Sequence, residues 1–367
     1  MDGPVFAIIA GGGTAGHVHP GLAIADALVS GGRDRDEVHY VGSERGIEAR
    51  LVPEAGFALT LLPGRGIQRR MTLENVRSAW GLARALVAAI GLVRRLRPRV
   101  VVSLGGYASV PCAVAAGLLR VPVVVAEQNA VPGAANRLVS RWAKVCAVSF
   151  PGTDLRRAVT TGNPVRPEML GIDLAVEHEP ARDRLGIDPG RTLLMVYGGS
   201  LGARRLNQST LAAAEDWRDR DDLAIRHVVG TRDWDDVVPP ASGRLQYVAV
   251  PYEDDMRTAF AAADLVLCRS GATSVSELAA AAVPSILVPL PSAPGDHQTA
   301  NAMAMVDVGA AVLVPDAELD SDRLRREVDA LLADPDRLEA MSAAATRVAR
   351  PNAAATVARL AEEHARG

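Results

Sequence analysis

Gly11-Gly12-Gly13-Thr14-Ala15-Gly16-His17 follows a short apolar run, Val5-Phe6-Ala7-Ile8-Ile9-Ala10, and precedes a segment of helical spacing from Pro20 to Leu28. Strand, glycine turn, helix is how a backbone presents open N–H groups to an anion. A second unit of the same kind stands near mid-chain. There Leu193-Leu194-Met195-Val196-Tyr197 runs into Gly198-Gly199-Ser200-Leu201-Gly202-Ala203, and helical spacing resumes from Asn207. Two such units predict two similar domains facing one ligand cleft.

Outward from these loops, strand-like and helical runs alternate. Val38–Gly42, Ala58–Leu62, Val100–Leu104, Val121–Ala126 and Lys144–Val148 read as strands, and 72–96 as a long helix that ends before Pro98. Val100–Leu104 is apolar throughout, the mark of a strand buried on both faces of a parallel sheet. The rhythm breaks at Thr161-Gly162-Asn163-Pro164-Val165-Arg166-Pro167 and restarts with Leu193–Tyr197, Ile225–Val229, Leu245–Val250, Leu265–Cys268, Ser285–Val288 and Ala311–Val314. The expected class is α/β, with doubly wound parallel sheets. The domains are expected at 1–163 and 164–349, with the last helix, in 350–367, packing back on the first.

At 367 residues the chain is longer than one core usually supports. Aromatic residues are 4% and the net charge is −3, so neither base-stacking platforms nor a global basic field points to nucleic acid. Cys112, Cys146 and Cys268 are odd in number and lie in apolar runs, which predicts buried reduced thiols. The first residues lack the basic, apolar, small-residue pattern of a secretory leader. No stretch of ~20 apolar residues is free of charge or proline, so a membrane span is not expected.

Gly11-x-Gly13-x-x-Gly16 spells a dinucleotide fingerprint, which also needs an acid ending the second strand to hold a ribose. That strand ends Tyr40-Val41-Gly42-Ser43, and Glu44 comes late. The alternative is a tight turn that starts a helix. His17 and His19 diverge where a helix begins, so they make a poor metal pair. His17 is a candidate proton acceptor, with an exposed helix-start histidine as the bland alternative. The richest stretch is 263–278, where a buried strand meets Arg269-Ser270-Gly271-Ala272-Thr273-Ser274 and then a helix. The N–H groups at Ala272 to Ser274 would receive a diphosphate. Glu277 could accept two ribose hydroxyls, but Ser274-x-x-Glu277 also spells a capping box. Asp233-x-Asp235 offers a Mg²⁺ or Mn²⁺ reading, weakened because Arg166 and two helix N-termini could neutralise a diphosphate without metal. Arg65, Arg69, Arg70 and Arg77 lie among Leu61, Leu62, Ile67, Met71, Leu73 and Trp80. This pattern fits either docking on anionic lipid or an ordinary amphipathic helix.

Gly11-Gly12-Gly13-Thr14-Ala15-Gly16-His17-Val18-x-Pro20-Gly21, Gly105-Gly106-Tyr107, Glu127-Gln128-Asn129, Gly162-Asn163-Pro164-Val165-Arg166, Gly198-Gly199-Ser200-x-Gly202-Ala203 and Arg269-Ser270-Gly271-Ala272-x-x-Val275-Ser276-Glu277 together resemble the MurG family of glycosyltransferase family 28. The matches run in order from residue 5 to about 310. The resemblance implies a GT-B fold: two Rossmann-like doubly wound domains with a cleft between them. It implies inverting transfer of GlcNAc from UDP-GlcNAc to the MurNAc 4-hydroxyl of lipid I, making lipid II, with no cofactor and no bound metal. It places the protein peripherally on the cytoplasmic face of the cell membrane, against anionic inner-leaflet phospholipid and other cell-wall synthesis proteins.

By the same resemblance, Arg166 and Ser200 would contact phosphate, and Ala272, Thr273, Ser274, Val275 and Ser276 would form the diphosphate turn. Glu277 would hold the ribose, Gln298 the GlcNAc hydroxyls, and the backbone near Glu253 the uracil. Thr14, Ala15, Gly16 and Asn129 would line the site from the first domain. Ala15 stands where many members have glycine, and His297 where a second glutamine is common. For the base, His17 is the candidate and Glu127 the rival.

Overall fold

The computed structural model describes residues 4–44, 46–63, 73–199 and 202–367, with the backbone alone over 73–80. The chain forms two compact units, Met1–Arg166 with Arg350–Gly367, and Pro167–Ala349.

In the first unit, β1 (Ala7–Gly11) is buried along its whole length. It leads to α1 (Ala15–Ser30), β2 (Val38–Ser43), α2 (Glu48–Glu54), β3 (Ala58–Leu62) and the long α3 (Leu73–Leu96). The chain continues through β4 (Val100–Gly105), α4 (Ser109–Leu118), β5 (Val123–Glu127), α5 (Ala134–Val139), β6 (Val145–Val148) and β7 (Ala158–Thr160). The strands are parallel, in the order β3-β2-β1-β4-β5-β6-β7. Consecutive strand residues face opposite ways. Ile8 accordingly packs with Leu92, Val93 and Cys112 on one face, and Ile9 with Ile24 and Leu28 on the other. The chain winds outward from β1 to β3, then returns to lay β4 on β1's other side. The order of connection reverses between β1 and β4, which opens the crevice where such sheets bind ligands.

The second unit repeats this plan. It comprises α6 (Leu174–Leu185), β8 (Thr192–Tyr197), α7 (Arg204–Asp216), β9 (Leu223–Val228), β10 (Gln246–Val250), α8 (Met256–Ala262) and β11 (Leu265–Cys268). Then come α9 (Ala272–Ala280), β12 (Ser285–Leu287), α10 (His297–Val306), β13 (Ala311–Leu313), α11 (Ser321–Leu332) and α12 (Pro335–Val348). The parallel order is β10-β9-β8-β11-β12-β13, with its switch point between β8 and β11. The two sheets therefore share one winding rule.

The last helix, α13 (Ala353–His364), belongs to the first unit. Its Val357, Ala358, Leu360 and Ala361 join the cluster around Phe6, Ile9 and Ile24. Beyond it, the Arg366 N–H donates to the Arg99 carbonyl at 3.0 Å, and Arg99 Nε donates to the Arg366 carbonyl at 2.7 Å.

Two local readings differ from the sequence pattern. Helix α1 begins at Ala15 rather than Pro20, with Pro20 inside it. A proline in the second turn forfeits a single hydrogen bond. Burial of Val18, Pro20, Ile24 and Leu28 against the sheet outweighs that loss. The edge strand β7 is exposed along its length and too short to show a hydrophobic period.

Candidate functional site

The first unit gathers its polar side chains at the switch point. Gly13 turns the chain with φ +92°, and Thr14, in extended conformation, caps α1. The Thr14 hydroxyl lies 3.1 Å from His17 Nδ1. Across the crevice, Gly105 and Gly106 leave β4 with φ of +91° and +78°. A Cβ on Gly106 would come within 2.8 Å of the Gly12 carbonyl oxygen, so the two glycine turns touch backbone to backbone. A Cβ on Gly105 would lie 3.2 Å from Asn136 Nδ2 and 3.4 Å from His17 Nε2. The His17 ring and the Asn136 amide thus converge above the Gly105 backbone.

Glu127 closes this group from β5. Its Oε1 accepts the Asn129 N–H at 2.9 Å and Asn129 Nδ2 at 3.3 Å. Its Oε2 accepts the Gly133 N–H at 3.0 Å and Asn136 Nδ2 at 2.9 Å. A buried carboxylate with four donors organises the 129–136 loop. His19 is held near pKa 4, first by burial and then by the charge of Arg166, so it stays neutral at ordinary pH. Thr14, Ala15, Gly16, His17, Glu127 and Asn129 therefore belong to one neighbourhood. Arg65, Arg69 and Arg70 lie outside the described residues, as do the side chains of Arg77 and Trp80.

In the second unit the corresponding turns leave β8 and β11. Gly199 and Gly202 have φ of +96° and +81°, and a Cβ on Gly202 would overlap the Val229 carbonyl. Ser200 lies outside the described residues. Helix α9 starts at Ala272 after Gly271, and no side chain caps it. The first N–H groups of a helix have no intrahelical acceptor, so those of Ala272, Thr273 and Ser274 have none within α9. The Val275 N–H is instead given to the Gly271 carbonyl at 3.0 Å, and its side chain is buried. The cap at Gly271 also decides the Ser274-x-x-Glu277 spelling, since Ser274 sits inside the helix and does not cap it. Glu277 is buried on α9; the Tyr197 phenol is pushed up first by burial, then by Cys268, with Glu277 a smaller contributor. Ser276 occupies the same helix, half-buried.

Three neighbouring elements hold this turn. Asn301 Nδ2 donates to the Ser270 carbonyl at 3.2 Å. Arg269 donates to the carbonyls of Val288 and Pro289, each at 3.1 Å, and pairs with Asp316 at 2.6 Å, which makes it a brace. Gln298 Oε1 accepts the Leu290 N–H at 2.9 Å, fixing α10 against the loop after β12. The Glu253 carboxylate accepts Arg226 Nε at 2.6 Å and the Asp255 N–H at 3.2 Å, which fixes this buried residue after β10. Asp233 is held by Arg232 at 2.7 and 2.8 Å and by Asn207 at 3.3 Å. Its acid is thereby engaged within the protein.

Residues 7–148 match the glycosyltransferase family 28 N-terminal domain, and residues 193–359 its C-terminal domain. This chain belongs to glycosyltransferase family 28. A family 28 relative from a Nocardioides species is 44% identical over 97% of both chains. It is named UDP-N-acetylglucosamine--N-acetylmuramyl-(pentapeptide) pyrophosphoryl-undecaprenol N-acetylglucosamine transferase. The crystal structure of Acinetobacter baumannii MurG superposes with a TM-score of 0.76 at 30% identity, over 98% of this chain and all of that one. A UDP-GlcNAc 2-epimerase from Neisseria meningitidis, at 12% identity and a TM-score of 0.63 over 98% of this chain and 99% of that one, shares the fold alone. The two doubly wound sheets are thus the GT-B architecture of family 28.

Several residues that shape these turns escape sequence reading. Asn136 and Asn301 are lone amides on helices, and their roles arise from contacts 9 and 31 residues away in sequence. Glu48, fully buried on α2, reaches the first glycine loop. Its one sequence signal is the pair Gly42 and Gly46, which precede it without side chains of their own.

Proposed function

We propose that the chain moves GlcNAc from UDP-GlcNAc to the 4-hydroxyl of MurNAc in lipid I, with inversion, giving lipid II and UDP. The observation that carries this is the 44% identity, over nearly the whole of both chains, to the Nocardioides transferase of that name. The switch-point geometry of both units supports it. His17 takes the proton of the acceptor hydroxyl, the oxygen attacks the anomeric carbon, and the bond from that carbon to the UDP oxygen breaks. The leaving diphosphate gathers negative charge. The N-terminus of α9 at Ala272, Thr273 and Ser274 meets it with backbone dipoles, and Arg166 and Ser200 add donors. Val275 and Ser276 complete the turn. Glu277 accepts the ribose hydroxyls, Gln298 the GlcNAc hydroxyls, and the Glu253 backbone the uracil. Thr14, Ala15, Gly16 and Asn129 frame the reacting sugar.

Glu127 acts here as the orienter. Four N–H donors occupy its oxygens, and taking a proton would break at least one of those bonds. With the charge of the leaving group met by dipoles and Arg166, transfer needs no added divalent ion.

Among the described residues no helix is long and apolar enough to cross a membrane. Attachment is peripheral in this reading, on the cytoplasmic face of the membrane, where the lipid acceptor and other cell-wall synthesis proteins reside. In this reading Arg65, Arg69, Arg70, Arg77 and Trp80 contribute to docking by their composition, and the exposed Arg84, Val87 and Arg94 of α3 add to it. Basic residues among exposed apolar ones suit anionic phospholipid.

The deciding experiment supplies UDP-GlcNAc with or without detergent-solubilised polyprenyl-diphosphate-MurNAc-peptide, in EDTA. The expected products are UDP and a disaccharide lipid, formed only when acceptor is present. Conversion of UDP-GlcNAc without acceptor would mean the alternative function of a UDP-GlcNAc 2-epimerase of similar fold, and donor binding without turnover that of a non-catalytic UDP-sugar-binding membrane scaffold.

A further inference from the structure

Glu48 is fully buried, and the reaction as described gives it no part. It lies in the first turn of α2, just beyond β2. Its Oε2 accepts the Gly13 N–H at 2.9 Å. Its Oε1 accepts the Ser43 N–H at 2.7 Å and the Ser43 hydroxyl at 2.8 Å. A Cβ on Gly12, Gly42 or Gly46 would overlap this side chain. Three positions have thus been emptied around one carboxylate, and the carboxylate joins the loop after β1 to the end of β2.

In a dinucleotide site the acid after the second strand holds a ribose. Here the acid after β2 turns inward and takes a loop N–H for itself. At the equivalent place in the second unit, after β9, Asp233 binds the Arg232 and Asn207 side chains instead. The fold as such does not require an acid at this place to take a backbone donor from the glycine loop.

The consequence runs through covalent neighbours. Gly13 precedes Thr14, Thr14 caps α1, and the Thr14 hydroxyl touches His17 Nδ1. Whatever fixes Gly13 fixes where α1 starts and where His17 stands. We propose that Glu48 is a positioning residue for the transfer reaction, clamping the first glycine loop so that His17 meets the acceptor hydroxyl. The proposal rests on the reading of His17 as the base.

Glu48→Gln tests it, because the amide keeps the volume but turns an NH₂ toward a backbone or hydroxyl donor on one side. In the full-length protein, the amides of residues 11–17 should exchange with deuterium about tenfold faster or more, with no substrate present. With UDP-GlcNAc and the lipid acceptor, kcat should fall by about tenfold or more, because small misplacements of a catalytic group are costly. The KM for UDP-GlcNAc should stay within about twofold, since the groups read as holding its diphosphate, ribose and uracil belong to the other unit. Ser43→Ala removes one donor, and should reproduce the same split at smaller size if Glu48→Gln fails to fold. Folded Glu48→Gln protein with wild-type kcat, or with its loss confined to the donor KM, overturns the proposal. Faster exchange in a protein whose wild type makes no disaccharide lipid leaves the clamp standing and removes the proposed reaction.

Discussion

His17 carries the most weight at the scale of single residues. It stands one turn into α1, with its Nδ1 near the Thr14 hydroxyl and its Nε2 near Asn136 over the bare backbone of Gly105. His17→Ala should lower kcat by about 10²–10⁴-fold, the usual contribution of a positioned general base, with little change in the KM for UDP-GlcNAc. Steady-state kinetics at saturating acceptor checks this, and a variant with most of its kcat retained would transfer the role elsewhere. Glu277→Gln should show the opposite pattern. Hydrogen bonds to a charged group contribute about 1.5–3 kcal/mol, so the KM for UDP-GlcNAc should rise by about tenfold or more while acceptor KM holds. His17 stands out in the sequence because a histidine is out of place in a phosphate-cradling turn. Glu48 does not, because its significance lies in three donors and three missing Cβ atoms that only folding assembles.

Helices and strands show a different division. The continuous apolar runs place the buried strands within one or two residues, since burial on both faces leaves a plain signature in sequence. Helix α13 is amphipathic, and its buried stripe of Val357, Ala358, Leu360 and Ala361 completes the face of the first sheet that α1 covers. Leu360→Ala should destabilise the protein by about 2–4 kcal/mol, since it removes a large side chain from a packed cluster. Urea denaturation followed by circular dichroism reads that loss. A shift of less than about 0.5 kcal/mol would mean that α13 frays without consequence. The start of α1 was harder to read, since Pro20 mimics a first-turn proline, and tertiary burial is what carries the helix back to Ala15.

Taken whole, the molecule carries a net charge of −3 yet exposes Arg84, Val87 and Arg94 together along α3. Co-sedimentation with anionic vesicles should therefore be salt-sensitive and weaker in Arg84→Glu/Arg94→Glu. Equal retention in both proteins would assign docking to another surface. Stability should also depend on pH. His19 and His227 are each held at about pKa 4 in the folded protein, chiefly by burial, against an ordinary 6.5. Between those values the unfolded chain binds more protons, so stability falls as pH drops from about 6.5 toward 4, by about 1–3 kcal/mol for each histidine. The urea midpoint should be lower at pH 5 than at pH 7.5, and an unchanged midpoint would mean that both rings are hydrated when folded. By itself the sequence determined the two-unit α/β plan and the positions of both glycine turns, because hydrophobic period and glycine spacing are local properties. Only the tertiary structure decided which groups the glycines make room for, that Gly271 and not Ser274 caps α9, and that Glu48, Glu127 and Arg269 serve as braces. Those outcomes depend on hydrogen-bond partners that are distant along the chain, and it is the order of the strands within each sheet that brings them together.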